Sequence, residues 1–332
     1  MNTPFANHRL MAALVLAALM SGAGCQITSI DDGTDGNGDA AFAVFNTDTG
    51  LADNEVTDIA ADYLRDGIWL ATRNGLSFFS NADSSFTTYG AESALPDLEM
   101  TSVMVDFTGS VWVGTVTGVA YLPLADTLFI RLPGDGNLAH PWVNDILRTN
   151  DTALWFGTRG GVSVRRSSGW TSYIAQLGPS TDVTALALDT QNRIWAGSTN
   201  GAAMFNGSTW TLFQGAVLPN TTVNTVYGDP QGAVWVGTAS IAASFDGANW
   251  TSYGLADGLP ANGIERFLRD HNGVLWAGTA SGLYFLDGSR FRQLALPPAV
   301  SGAVVTSLAA DALENVLWIG TTAGAVRYRF AQ

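Results

Sequence analysis

From residue 41 onward, apolar and polar positions alternate in short runs, each closed by a glycine or an acidic turn. VTDIAAD (Val56 to Asp62), VNTVYGD (Val223 to Asp229), GLSFFS (Gly75 to Ser80) and GLYFLD (Gly282 to Asp287) are typical. A two-residue alternation is the signature of a strand with one packed face, not of a helix. The pattern predicts an all-β chain.

The runs recur as a set. A tryptophan followed by a small-residue turn appears at Trp69 (WLATRNG), Trp112 (WVGTVTG), Trp155 (WFGTRGG), Trp195 (WAGSTNG), Trp235 (WVGTASI), Trp276 (WAGTASG) and Trp318 (WIGTTAG). Around each lie a first strand ending in an acidic turn, a second strand with the tryptophan, a third strand, and a fourth with paired aromatic or apolar residues. Trp170 and Tyr173, Trp210 and Phe213, and Trp250 and Tyr253 are such pairs. A period of about 40–45 residues built from four short strands predicts propeller blades. The turn acids Asp62, Asp106, Asp189, Asp229, Asp270 and Asp311 are expected to hold nearby backbone amides. The tryptophans are expected to pack between blades. Turn threonines such as Thr72, Thr115 and Thr158 are expected to tie each turn to its own backbone.

Seven tryptophan units are present, and the last ends after its third strand, AVRYRF. The missing strand stands at the front. AVFNTDTGLADNEV (Ala43 to Val56) aligns without a gap on TSYGLADGLPANGI (Thr251 to Ile264), and Phe42 and Phe45 fall on Trp250 and Tyr253. The N-terminal strand should therefore pair with residues 325–330 and close the ring, removing exposed sheet edges. The expected fold is a single seven-bladed β-propeller of four-stranded blades over residues 41–332.

GLPANGIERFLRDHNGVLWAGTASGL (Gly258 to Leu283) is the fullest copy of the unit, and it resembles the two-component regulator propeller repeat. In that family such propellers form periplasmic sensor regions of hybrid histidine kinases that respond to glycans, and they also occur in freestanding exported proteins. No kinase or DNA-binding segment follows the repeats here, so the resemblance implies signalling through a separate partner.

Residues 1–24 read as an export signal: Arg9, an apolar run from Leu10 to Met20, then SGAG before Cys25. The apolar run is too short to span a bilayer. Cys25 is the sole cysteine and stands where bacterial lipoproteins carry their lipid, although Gly22 replaces the usual leucine. Ordinary signal-peptidase cleavage, leaving a free thiol, is the alternative. Gln26, where an inner-membrane retention signal would have aspartate, favours the outer membrane. Residues 25–40 are acidic and glycine-rich, and fail the ligand spacing of a calcium loop. They read as a flexible tether.

The 15 basic residues are all arginine and face 29 acids, a formal charge of −14, so a nucleic-acid partner is not expected. No cofactor motif, no histidine–cysteine metal cluster and no nucleophile elbow occurs. Function is expected where the period breaks. Trp142 and His140 lie in AHPWVND between the second and third blades, and Arg73 and Arg159 occupy turns that are elsewhere small and neutral. Glu265, Arg266 and Arg269 load the sixth inner strand with charge. A polar ring of Thr57, Ser102, Asn144, Thr184, Asn224, Glu265 and Thr306 is expected at the channel mouth. The candidate binding residues are Trp142, Asn144, His140, Arg159, Arg73, Asn224, Glu265 and Arg266. Their ligand, whether glycan, peptide or protein, is not fixed by the residues. The competing readings are a structural envelope scaffold and a lyase resembling the streptogramin B lyases. For the lyase, His271 is placed in a turn on the wrong face.

Overall fold

In the computed structural model, which describes residues 41–174, 182–215, 218 and 222–330, the chain forms seven four-stranded antiparallel sheets in a ring. The signal segment, Cys25 and the tether lie outside the described residues. Each sheet runs in sequence order from an inner strand to an outer one, as in Val56–Asp62, Gly67–Thr72, Gly75–Ser80 and Ser85–Tyr89 of the first blade. The last blade is the exception. Its inner three strands are Val305–Asp311, Val316–Thr321 and Gly324–Arg329, and its outer strand is Phe42–Phe45 from the start of the chain.

The closing register is that of an ordinary blade. Phe42 faces Tyr328 and Phe45 faces Ala325, as Trp250 faces Phe245 and Tyr253 faces Ala242 in the fifth blade. Phe42 stacks on Tyr328 at 4.9 Å between ring centroids. Phe45 lies 5.2 Å from Trp318 of its own blade and 5.2 Å from Phe79 of the first. One aromatic ring thus joins the two ends of the circle.

The core is divided among seams rather than gathered in a centre. Each repeat tryptophan is buried in a cluster with residues of the following blade: Trp69 with Met100, Val103 and Val111, and Trp318 with Val56, Ile59 and Phe79 of the first blade. The glycine after the tryptophan makes this approach possible. A Cβ on Gly278 would meet Val305 Cγ1 at 2.7 Å, and one on Gly320 would meet Val56 Cγ1 at 2.8 Å. Both valines open the inner strand of the next blade, and only glycine admits them so closely.

The turn aspartates hold backbone amides, as Asp270 Oδ1 does for Asn272 and Val274. They do more. The second oxygen of Asp62, Asp106, Asp189, Asp229 and Asp270 accepts the indole N–H of Trp69, Trp112, Trp195, Trp235 and Trp276, at 2.8–3.1 Å. A buried tryptophan N–H needs a partner, and an aspartate six or seven residues earlier supplies one for these five; the indole N–H groups of Trp155 and Trp318 have none. The turn threonines donate to the carbonyl three residues on, from Thr72 to Gly75 at 2.7 Å through to Thr321 to Gly324 at 2.8 Å.

Because Phe45 is the only ring on the closing strand that touches both the first and last blades' cores, Phe45→Ala should cost about 3 kcal/mol, in the range of aromatic truncations in cores. Denaturant titration checks this. A change near zero would mean that the strand is held by its backbone bonds alone.

Candidate functional site

The inner strands place the site. In every blade the register slips by one residue after the first position, as between Val56 and Asp58 or Ile264 and Arg266. Such a bulge turns the extra side chain away from the ladder. The bulged residues are Thr57, Thr101, Asn144, Thr184, Asn224, Glu265 and Thr306, and all of them line one cavity of about 410 Å³ at the ring axis. The polar ring expected from sequence is therefore present, with Thr101 in the second blade instead of Ser102. Ser102 lies one position deeper, is 2% exposed, and belongs to a second ring described below.

Most of the mouth ring is used for assembly. Thr184 Oγ1 donates to Val223 O of the next blade at 2.7 Å, Thr306 Oγ1 to Val56 O at 2.6 Å, and Asn144 Nδ2 to Val183 O at 2.7 Å. Thr101 makes the same bond to Val143 O. A deeper ring works in the opposite sense and accepts backbone N–H groups of the next blade. Asp58 Oδ2 accepts from Val103 at 3.0 Å, Asp145 Oδ2 from Leu186 at 2.7 Å, and Ser307 Oγ from Ile59 at 2.9 Å. Inner strands of neighbouring blades share no backbone ladder, so these side chains stitch them together.

The stitching lapses across the fifth, sixth and first blades. Asn224 Nδ2 reaches Glu265 Oε1 at 3.2 Å instead of a carbonyl. The buried Thr57 hydroxyl and the buried Nε of Arg266 have no hydrogen-bond partner, although Arg266 Nη2 lies 3.4 Å from Asp58 Oδ1. Burial raises the Glu265 carboxyl above its ordinary pKa against the pull of Arg266. Around this polar gap stand the off-period residues of the loops. The Arg159 guanidinium lies 3.3 Å from the centroid of the Trp142 ring, a cation–π contact. Arg73 bridges Glu55, at 2.9 Å, and Glu99.

Seven of the eight candidate residues thus line one cavity. His140 is the one that does not; its Nδ1 accepts the Trp142 backbone N–H at 3.0 Å and so braces the loop that presents the ring. Arg269, singled out for its charge, is on the other face, where it clasps Asp229 of the preceding blade, with Nε 2.7 Å from Oδ1. His271 bonds Asn315 at 2.8 Å among the turns of that opposite face. Asp145 was not among the candidates. Burial, together with the charge of Asp58, pushes its carboxyl up to about 6 despite the opposing pull of Arg266 and two backbone N–H bonds.

Residues 217–240, in the fifth blade, match the family described as Two component regulator propeller. This is the unit before the fullest copy. No curated protein matches the chain. Among solved structures, the extracellular domain of BT3049 from B. thetaiotaomicron, described as a hybrid two component system, is 21% identical with a TM-score of 0.74, covering 86% of this chain and 41% of that one. That of BT4673 from the same organism is 18% identical with a TM-score of 0.75, covering 87% and 43%. The chain spans less than half the length of both. A catalytically inactive virginiamycin B lyase from Staphylococcus aureus, solved with quinupristin, is 13% identical with a TM-score of 0.70, covering 86% of this chain and 97% of the lyase. These likenesses establish the fold.

The raised Asp145 carboxyl has a consequence for stability. Its folded pKa exceeds its unfolded value, so its contribution is complete below about pH 4 and is lost as pH rises through about 6. The loss should be on the order of 2–3 kcal/mol, as two pKa units imply. Asp145→Asn, uncharged at every pH, should flatten the slope of unfolding free energy between about pH 4 and 6. An unchanged slope would assign it to other carboxyls.

Proposed function

We propose that the chain is a non-enzymatic binding propeller of the cell envelope, and that its ligand or partner site is the axial mouth framed by Trp142, Arg159, Asn144, Asn224, Glu265, Arg266 and Arg73. One observation carries the reading: residues that break the repeat in three different blades line one cavity, beside unpartnered polar atoms at Thr57 and Arg266. A ring devoted only to structure has no reason to place its exceptions together. A tryptophan faced by arginine and rimmed by amides is the composition in which binding energy concentrates.

The solved propellers that it resembles are described as extracellular domains of two component systems. This supports a sensing or recognition role outside the cell; the lipid anchor on Cys25 rests on the sequence alone, and the ligand we propose is a glycan, peptide or protein. Among the described residues no helix is long and apolar enough to cross a membrane. The lyase reading draws on full-length likeness to virginiamycin B lyase. Among the described residues it lacks a histidine at the mouth, since His140 and His271 both lie outside the cavity lining.

Trp142→Ala should weaken capture of the partner found by pull-down on the order of tenfold or more, as loss of an interface tryptophan does. It should leave the melting temperature nearly unchanged, because Trp142 lies outside the buried core. Normal binding with early unfolding would make Trp142 a structural residue. Cys25→Ser should move the protein from the membrane fraction to the soluble exported fraction. Persistence in the membrane fraction would show that another segment anchors it.

A further inference from the structure

The opposite face carries a second break in the period, in the third blade. There the turn position that holds aspartate in the other blades is Thr149, and the indole N–H of Trp155 is buried without a partner. The ring itself sits as its relatives do. Trp155 lies 6.2 Å from Tyr173, 5.6 Å from Phe205 and 6.5 Å from Trp210. Trp195 lies 5.3, 5.6 and 6.2 Å from the equivalent Phe213, Phe245 and Trp250, with the same stacked, tilted and edge-on orientations. Trp195 gives its N–H to Asp189 at 2.9 Å. The same orientation aims the Trp155 N–H at the place where the third blade has no carboxylate.

That place is open. A cavity of about 410 Å³ lies between the third and fourth blades, lined by Thr149, Trp155, Arg166, Leu188, Ile194 and Phe205 among others. The Arg166 guanidinium lies 5.2 Å from the Trp155 ring centroid and forms no ion pair among the described residues. An amide pair, Asn150 Nδ2 to Asn192 Oδ1 at 3.2 Å, spans the two blades at its rim. The acid in the lining, Asp151, is turned onto its own loop, where it accepts from Thr149 Oγ1 and from the Ala153 N–H. Trp318 also lacks an indole partner. In its blade, however, the turn keeps Asp311, which is engaged by Asn81 Nδ2 at 3.1 Å.

We propose that this cavity binds a small amphipathic organic acid, whose carboxylate takes the place of the missing turn aspartate between the Trp155 N–H and Arg166 while its apolar part rests on Leu188, Ile194 and Phe205. A cation and an unpartnered buried N–H lining one cavity favour an anion over a neutral group, because charge-assisted hydrogen bonds are the stronger ones. The apolar floor selects for a hydrocarbon tail over a bare inorganic anion. This site is separate from the axial mouth and does not depend on it.

The test is ¹H–¹⁵N spectroscopy of protein carrying ¹⁵N-labelled tryptophan, with the Trp155 indole signal assigned through Trp155→Phe. Hexanoate and phenylacetate are titrated beside their uncharged amides. Both acids should move the Trp155 signal saturably, and the amides should not. Arg166→Gln should weaken the acids on the order of tenfold, the loss of one hydrogen bond to a charge. Thr149→Asp restores the repeat's own carboxylate, and should abolish acid binding while raising the melting temperature. Trp142→Ala at the mouth should bind the acids as the parent does. Equal shifts by acids and amides, no saturation by either acid, or undiminished acid binding in both Thr149→Asp and Arg166→Gln would each overturn the proposal.

Discussion

Each blade of this propeller buries its tryptophan against the next blade, so no blade has a finished core until its neighbour is in place. A single four-stranded sheet would leave Trp69, Leu70 and Ala71 facing water, whereas in the ring all three are fully buried. The dependence is circular: Trp318 of the last blade is covered by Val56, Ile59 and Phe79 of the first. The stability of any seam therefore requires that the ring be shut. The split of the last blade follows from this, since Phe42–Phe45 joins the two chain ends through backbone pairing to Gly324–Arg329. Loss of that strand would expose one edge and also uncover the seam beside it.

The inner strands face a related problem. They approach closely around the axis without a shared ladder, so their backbone groups need side-chain partners. The bulged position gives donors to the next blade's first carbonyl, and the position after it gives acceptors to the next blade's fourth N–H. Threonine, serine, asparagine and aspartate are short enough to make these bonds without filling the channel. Where glutamate and arginine replace them, in the sixth blade, the side chains are too long for the local bond and extend into the mouth. Scaffold and candidate site are thus built from one set of positions. The difference is whether the side chain fits the neighbouring backbone.

The fold was legible in the sequence because it is periodic. The tryptophan turn, the alternation and the orphan Phe42–Phe45 strand each recur or complete a recurrence, and the observed closing register matches that of Trp250 and Tyr253. The mouth was legible in part. Trp142 and Arg159 stood out against the period and do come together at 3.3 Å. The second blade's contribution is Thr101 and not Ser102, because its inner strand opens at Met100, the counterpart of Val56, and Thr101 is the residue that follows it. The aspartate-to-indole bonds were missed, although the recurring six- or seven-residue spacing between turn acid and tryptophan was there to be read. Asp145 was missed for a different reason. Its raised carboxyl comes from burial and from Asp58, and Asp58 lies two blades away, brought near by the curvature of the ring and not by sequence.

Arginine use on the two faces follows the same logic. The chain has no lysine, and its turn aspartates need partners that meet a carboxylate and a carbonyl together. Arg65 does this, reaching Asp62 Oδ2 at 2.8 Å, Gly109 O at 2.7 Å and Pro123 O at 3.0 Å, and so ties the first blade to the second. Arg269 does it between the sixth blade and the fifth, through Asp229 and its own turn carbonyl of Gly273. A planar fork with several donors can serve these acceptors at once, whereas an ammonium is a single point charge. Arg148 reaches Asp106 through one nitrogen only, and its buried Nε has no partner. Arg166 carries the same fork beside a turn whose aspartate is absent, and Arg159 carries it against the Trp142 ring at the mouth. Of these, Arg166 stands where the repeat supplies no turn aspartate of its own.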